Sequence, residues 1–292
     1  MKVLITGASG FIGSRLSKRL EAAGHHVMPV SRRGGPGYDW SDGSLARGVR
    51  EANAVIHLAG ENLFAKRWSA AQKQVLGSSR TAPTMKLAAL VAERKPACFI
   101  SSSAVGYYGP NSEAHLHEGS PHGNDFLAGL CVDWEDATLA ASYGGVRTAV
   151  IRTGVVLGRG GGALSKLLPP FKLGLGGPLG SGKQWMSWIH IDDLISLFLF
   201  ILENPKASGV FNGTAPQPVT MKEFAQSLGK ALHRPAVFPV PAPILRLALG
   251  EVADILLTGQ YVEPRRATEA GFKFQFRDVD SALRDILQQK EK

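Results

Sequence analysis

Cysteine is nearly absent from this chain of 292 residues: Cys98 and Cys131 are its two. Two thiols exclude a disulfide scaffold and a four-cysteine zinc site. Long apolar runs are absent as well. The longest candidate, residues 194–202, is interrupted by Ser196 and falls far short of the ~18 residues a spanning helix needs. Acids are in deficit, with 24 Asp and Glu against 33 Lys and Arg, a net charge of +9. That balance favours anionic partners in general. The basic residues are scattered, however, at Arg15, Lys18 and Arg19, at Arg32 and Arg33, at Lys66 and Arg67, and at Arg265 and Arg266. They form no basic arm, and no RNA-recognition or zinc-finger pattern accompanies them. No HExxH pair or Cys–His set marks a metal site, and no G-x-S-x-G elbow marks a hydrolase. Lys2 to Ile5 runs straight into glycines, unlike a signal peptide. These absences lead us to expect a reducing, cytoplasmic setting, with no metal, no nucleic-acid partner and no membrane partner.

What the chain does have is a globular balance, 44% apolar and 20% charged, long enough to bury a sizeable core. Strand-like and helix-like stretches alternate through the first half. Val3 to Thr6 is a short apolar run, and Phe11 to Ala23 has Ile12, Leu16 and Leu20 on one helical face before Gly24 stops it. His26 to Val30 reads as a strand that Pro29 pushes towards an edge. Ala54 to Leu58 and Ala97 to Ser101 are strands, 69–94 is a helix with Pro83 as kink or boundary, 127–142 is a helix, and Arg147 to Arg152 is a strand. The alternation implies a parallel sheet covered on both faces. The second half changes character. Residues 154–182 are glycine-rich and hold at most one short helix, near 164–168. A helix over 192–202 is expected to be capped by Asp192 or Asp193, and Thr220 with Glu223 forms a capping box ahead of 220–232. Val210 to Asn212 is a short strand, and the prolines of 234–243 make an extended connector ahead of helices near 244–258 and 279–288. The expected fold is α/β: a Rossmann-like doubly wound parallel sheet over residues 1–155, with a returning segment near 190–213. A smaller, discontinuous substrate region covers 156–189 and 214–292.

The strongest motif is Thr6-Gly7-Ala8-Ser9-Gly10-Phe11-Ile12-Gly13, between an expected strand and an expected helix. Glycines at 7, 10 and 13 let backbone approach a pyrophosphate, and the helix N-terminus offers free N–H groups and partial positive charge. At the end of the second strand, enzymes that use NAD place a carboxylate for the ribose 2′-hydroxyl. Here stand Ser31, Arg32 and Arg33, with no acid before Asp39. Arg32 suits a 2′-phosphate bidentately and Ser31 adds a hydrogen bond, so the expected cofactor is NADP(H). The third strand ends in His57-Leu58-Ala59-Gly60, small residues against which a cofactor's adenosine half can lie, with His57 read as a core residue. Glu61 and Asn62 either touch substrate or merely begin the next loop.

The glycine motif together with His57-Leu58-Ala59-Gly60 resembles the extended, sugar-nucleotide-epimerase-like branch of the short-chain dehydrogenases/reductases. Arg152-Thr153-Gly154-Val155-Val156-Leu157-Gly158, the stretch Gly180-Ser181-Gly182-Lys183-Gln184 followed by 187–194, and Asn212-Gly213-Thr214-Ala215-Pro216 match further segments of that branch. The tail through Ala270-Gly271-Phe272 is similar to the subgroup called epimerase family proteins, which carry a C-terminal domain of unknown function and are sometimes labelled cell-division inhibitors. The resemblance implies cofactor contacts at Arg80, Ser101 and Val155 besides those above. It also implies a tyrosine and a lysine four residues apart on the helix after the fifth strand. This chain lacks them. With Glu135 as the acid that follows, Leu127 takes the tyrosine's place and Cys131 the lysine's, and no tyrosine or lysine lies anywhere in 109–142.

Replacement candidates are Ser103, at the strand end, and Tyr107 and Tyr108 just after it. Cys131 reads as a small core residue more readily than as a nucleophile. Gln184, Trp185, Met186 and Trp188 read as an aromatic-rich substrate wall, with Gln184, Trp188 and His190 as substrate contacts. His190 serves equally well in a structural hydrogen bond. Met186 sits where relatives place an arginine for a nucleotide-sugar phosphate, which favours a smaller carbonyl or alcohol. Two functions follow: an NADP(H)-dependent oxidoreductase acting on such a molecule, or a non-catalytic NADP(H)-dependent sensor related to cell division. A nucleotide-sugar epimerase is a third reading. The chain is expected to be a monomer or a homodimer.

Overall fold

The structure is a computed structural model that describes residues 1–31 and 37–288, with backbone alone for 111–113. The first half runs β1 (Lys2–Thr6), α1 (Phe11–Ala22), β2 (His26–Ser31), β3 (Tyr38–Asp39), α2 (Asp42–Glu51), β4 (Ala54–His57), α3 (Ala70–Arg94), β5 (Cys98–Ala104), β6 (Asn111–Leu116), α4 (Phe126–Leu139) and β7 (Thr148–Thr153). It continues through β8 (Val155–Leu157), α5 (Leu164–Lys172), β9 (Trp185–Met186), β10 (Trp188–His190), α6 (Ile191–Glu203), β11 (Gly209–Gly213), β12 (Val219–Thr220) and α7 (Met221–Leu232). The tail holds α8 (Ala242–Leu249), α9 (Asp254–Leu257), β13 (Gln260–Val262), α10 (Arg265–Glu269) and α11 (Val279–Gln288).

Seven strands form one sheet in the order β11-β7-β5-β4-β1-β2-β3, and every pairing in it is parallel. The order reverses beside β1, so β1 and β4 flank a crevice at their carboxyl ends. That is the switch point where doubly wound sheets bind ligands. Apolar strands such as Val3 to Ile5 and Ala54 to Ile56 are buried on both faces, and α6 packs against them with Leu194, Leu197, Phe198 and Ile201. A second core gathers Leu164, Phe171, Met186, Trp188, Phe224, Leu228 and Leu283 from the later elements.

Several local expectations shift. Pro29 lies in β2, one strand in from the edge; β3 pairs only Val30 and Ser31, so no outer ladder bond is asked of residue 29. α3 runs through Pro83 as one 25-residue helix. α5 passes through Pro169 and Pro170 as far as Lys172. The carbonyls those prolines leave unbonded belong to Ser165 and Lys166, which are exposed to water. The cap of α6 is neither Asp192 nor Asp193. It is His190, whose Nδ1 accepts from the Asp192 N–H at 3.1 Å. Asp193 instead accepts the backbone N–H groups of Gln275 and Phe276 at 2.8 and 2.9 Å, fastening the tail to α6. The Thr220–Glu223 capping box is present.

Candidate active site

The turn between β1 and α1 is dictated by backbone crowding. Gly7 has φ +72°, and a Cβ there would lie 2.9 Å from the Leu58 carbonyl carbon. A Cβ on Gly13 would lie 2.1 Å from Gly7 O. Only glycine satisfies either position. Gly10 differs: its Cβ would meet only Gly7 O, at 3.2 Å, and its other side is open. No side chain caps α1 and no acid stands in its first turn, so the amide end facing the crevice is free for an anion. Phe11 packs into the glycine-rich 158–162 turn, where a Cβ on Gly161 would lie 2.1 Å from its ring. Arg15 stacks on Phe11 at 4.4 Å and donates to Arg159 O, tying helix and turn together. Ile12 is half-buried against the first core.

A polar seam joins β1 to β4 beneath this turn. Thr6 Oγ1 receives the N–H groups of Leu58 and Ala59 at 3.2 and 3.3 Å and bonds His57 Nδ1 at 2.6 Å. Thr84 spends its hydroxyl proton on Arg80 O, so His57 Nε2 carries a proton and donates to Thr84 Oγ1 at 2.9 Å. His57 is fully buried, and burial pushes its pKa down to about 4. It is a core residue, as its sequence setting suggests. Arg80 reaches up from α3, donating to Leu76 O at 3.1 Å and Glu61 O at 2.8 Å. Its guanidinium lies directly under Gly60 and 5.2 Å from the Trp134 ring. Burial lowers its pKa. Ser31 ends β2 beside the crevice, its Oγ buried with no hydrogen-bond partner among the described residues. Arg32 and Arg33 lie outside the described residues.

The other wall stands at the ends of β5, β7 and β11. Arg152 makes a bidentate ion pair with Glu135, Nε to Oε1 at 2.9 Å and Nη2 to Oε2 at 2.8 Å, with both side chains about 4% exposed. Burial opposes the charge on Arg152, but the Glu135 carboxylate outweighs it and raises the guanidinium's pKa. Ser103 donates to Glu135 Oε1 at 2.6 Å. Tyr108 donates to Asn212 Oδ1 at 2.7 Å and accepts from Arg152 Nη1 at 3.0 Å; burial pushes its pKa up to about 12. Tyr107 is half-buried, with the Arg152 guanidinium 3.2 Å from its ring centre and His122 at its far edge. Leu127 and Cys131 face Gly106. Cys131 is buried, and that burial pushes its thiol up to about 12, an inert core cysteine.

The sequence candidates therefore divide. Gly7, Gly10, Gly13, Leu58, Ala59, Gly60, Arg80 and the backbone of Glu61 meet in one place at the β1–β4 crevice. Ser101 lies fully buried beside His57, its hydroxyl donated to Ser102 O. Val155 begins β8, its N–H donated to Ser187 O at 2.8 Å. Ser103, Tyr107 and Tyr108 stand together around Arg152. The expected substrate wall is different. Gln184 is buried and donates to Leu179 O and Leu256 O. Trp188 is fully buried in the second core with its Nε1 on Gln217 O, and His190 is fully buried under Phe276. Those three side chains hold the later elements together. Trp185 alone of the stretch stays half-exposed, edge-on to Tyr261. Glu135, Arg152 and Asn212 escaped notice as site residues. The signal was available: an arginine inside the all-buried strand Thr148 to Arg152 requires a buried carboxylate.

Comparison with known proteins fits this geometry. Residues 3–212 match the NAD dependent epimerase/dehydratase family, and residues 240–286 match a domain of unknown function, DUF1731. A chloroplastic epimerase family protein SDR39U1 homolog of Arabidopsis thaliana is 44% identical, over 99% of this chain and 87% of that protein. A nucleoside-diphosphate sugar epimerase from Corynebacterium glutamicum superposes with TM-score 0.80 at 34% identity, covering 98% of this chain and 58% of that one. The human epimerase family protein SDR39U1, crystallised with NADPH, superposes with TM-score 0.93 at 39% identity, covering 99% of this chain and all of that one. This chain accordingly belongs to the NAD dependent epimerase/dehydratase family, among the epimerase family proteins that carry a DUF1731 tail.

Proposed function

We propose that this chain binds NADP(H) across the β1–β4 crevice and acts as an oxidoreductase on a small carbonyl or alcohol. The observation that carries the reading is the cradle at Gly7, Gly10 and Gly13. Two of these glycines are forced by backbone contact and the third leaves open space before an uncapped helix end. These residues fit a dinucleotide pyrophosphate. The orphaned Ser31 Oγ, and Arg32 beyond it, suit a 2′-phosphate. Leu58, Ala59 and Gly60 would hold the adenosine side, with Arg80 beneath them. The human relative crystallised with NADPH supports the choice of cofactor. When bound, the cofactor supplies hydride transfer.

The chain's own part is to orient the substrate and hand over a proton. Of the three hydroxyls, Ser103 is given to Glu135 and Tyr108 to Asn212. Tyr107 is left as the proton donor. Arg152 lies against the face of its ring, 3.2 Å from the ring centre, so a cation stands over the π system that shares the negative charge as the proton leaves.

The test is a tryptophan-fluorescence titration with NADPH and NADH. Wild type should bind NADPH more tightly, and Arg32→Ala should lose roughly tenfold or more for NADPH alone. Equal affinities in wild type and variant would overturn the 2′-phosphate assignment. In a carbonyl panel, Tyr107→Phe should lower kcat by about 10²-fold or more with unchanged NADPH affinity.

One observation favours a second reading, a non-catalytic NADP(H)-dependent sensor: Leu127 and Cys131 stand where relatives carry their proton-transfer pair, and neither moves a proton. Cofactor binding without turnover on any carbonyl, together with a partner retained only in the presence of NADP(H), would select it. A nucleotide-sugar epimerase is the weakest reading, because that same pair is missing.

A further inference from the structure

Most of the large apolar side chains left exposed fall in one neighbourhood. Leu173 (76% exposed) and Leu175 follow α5, Val237 and Phe238 lie in the proline-rich connector, and Ile244 and Leu247 (80%) project from α8. The backbone makes these one continuous ridge. Phe238 N–H bonds Gly176 O at 3.1 Å and Val240 N–H bonds Pro178 O at 2.9 Å, laying the connector along the 174–178 turn. α8 begins two residues further on and buries none of its eight residues. Pro235, Pro239, Pro241 and Pro243 stiffen the stretch that presents these side chains. Arg67 donates to Leu247 O, which brings up the 62–68 loop with exposed Phe64 and Lys66.

The segments that form the ridge are basic. Residues 159–191 and 224–250, which supply it, contain seven Lys and Arg and not one Asp or Glu. Lys166, Lys172 and Arg234 are exposed and have no ion-pair partner among the described residues; Arg246 pairs with Asp254 at 3.2 Å across the end of α8. Of the acids at the margins, Glu223 is held in its capping box, Glu251 by Lys73 and Asp254 by Arg246. Scattered single apolar side chains are ordinary on a protein surface, but a contiguous group of them marks a contact surface.

We propose that this ridge seats the protein on an anionic lipid surface, with α8 and the 173–175 and 237–238 tips entering the headgroup boundary and the surrounding cations meeting lipid phosphates. Apolar tips with cations around them are what interfacial elements use. A fluid bilayer accepts tips from separate segments without a shaped receptacle, which a folded acidic partner would have to provide. The expectation of no membrane partner rested on the missing spanning run, and a surface-lying helix needs none. Among the described residues no helix is long and apolar enough to cross a membrane, so the contact is peripheral.

Sedimentation of the full chain with vesicles tests this. Wild type should partition onto vesicles of equal parts phosphatidylcholine and phosphatidylglycerol, weakly onto phosphatidylcholine alone, and less as salt is raised. The double variant Phe238→Ser, Leu247→Ser should lose roughly tenfold or more, and Lys172→Glu with Arg234→Glu should remove the preference for anionic lipid. Both pairs change exposed side chains, and an unchanged thermal melt keeps the comparison clean. Failure of wild type to bind anionic vesicles overturns the proposal, as does equal binding by the variants. A wild-type dimer that Phe238→Ser, Leu247→Ser dissolves also overturns it, showing a second copy on the ridge instead. None of these outcomes depends on NADP(H) or turnover.

Discussion

The two walls of the crevice are built in different currencies. The β1–β4 wall is set by backbone: Gly7 and Gly13 leave no room for a Cβ, and Thr6 ties the strand ends together through N–H groups. The β5–β7 wall is set by side chains: one buried ion pair collects Ser103, Tyr107 and Tyr108 around Arg152. α4 turns the apolar Leu127 and the buried Cys131 towards Gly106, and one turn on it supplies Glu135 to the ion pair. A side-chain wall can thus change a residue and keep its architecture, while a backbone wall at Gly7 and Gly13 admits no side chain at all.

The sharpest way to break this contrast is Arg152→Ala. It strands Glu135 as an unpaired buried charge and should cost about 3–5 kcal/mol. Urea denaturation reads this directly, and a cost near zero would mean that the side-chain wall is ornamental. The polar seam within the β1–β4 wall gives the next effect. His57 holds its folded pKa near 4 against an ordinary 6.5. The unfolded chain therefore takes up the proton first as pH falls. Stability from this group is full above 6.5, declines below it, and levels off near 4, a loss approaching roughly 3 kcal/mol. Denaturation between pH 6.5 and 5, compared with a His57→Gln variant that lacks the slope, checks the sign. The smallest stability effect belongs to the backbone wall. Gly13→Ala should cost about 1–3 kcal/mol through crowding. It should also abolish NADPH binding, whereas Arg152→Ala, where it remains folded, should leave binding largely in place. Equal damage to binding in both variants would erase the distinction.

The same contrast explains what the sequence disclosed. A backbone requirement writes itself into the chain as glycine spacing, so the Gly7–Gly13 turn, its strand and its helix were legible at once. So was the Thr220–Glu223 box, a contact three residues apart. The ion pair of Glu135 and Arg152 joins positions far apart in the chain, and only the oddity of a charge in an apolar strand announced it. The pairing of β6 with β13 was invisible for a similar reason: two short segments some 150 residues apart, parallel, with irregular register. The stretch 184–188 misled because an aromatic run looks alike whether it faces a cleft or a core. Trp188 turned inward, and His190 took the capping role that the acids beside it seemed to claim.

The tail's reach into the side-chain wall has a consequence for synthesis. Tyr108 and Arg152 are closed in by Asn212, whose own amide is held by Glu263 O. On the ribosome, the glycine turn and its strands emerge early and have what they need. The hydrogen-bonded cluster around Tyr108 must wait for more than a hundred further residues. Until residue 263 has emerged, Asn212 lacks the carbonyl that holds its amide beside Tyr108.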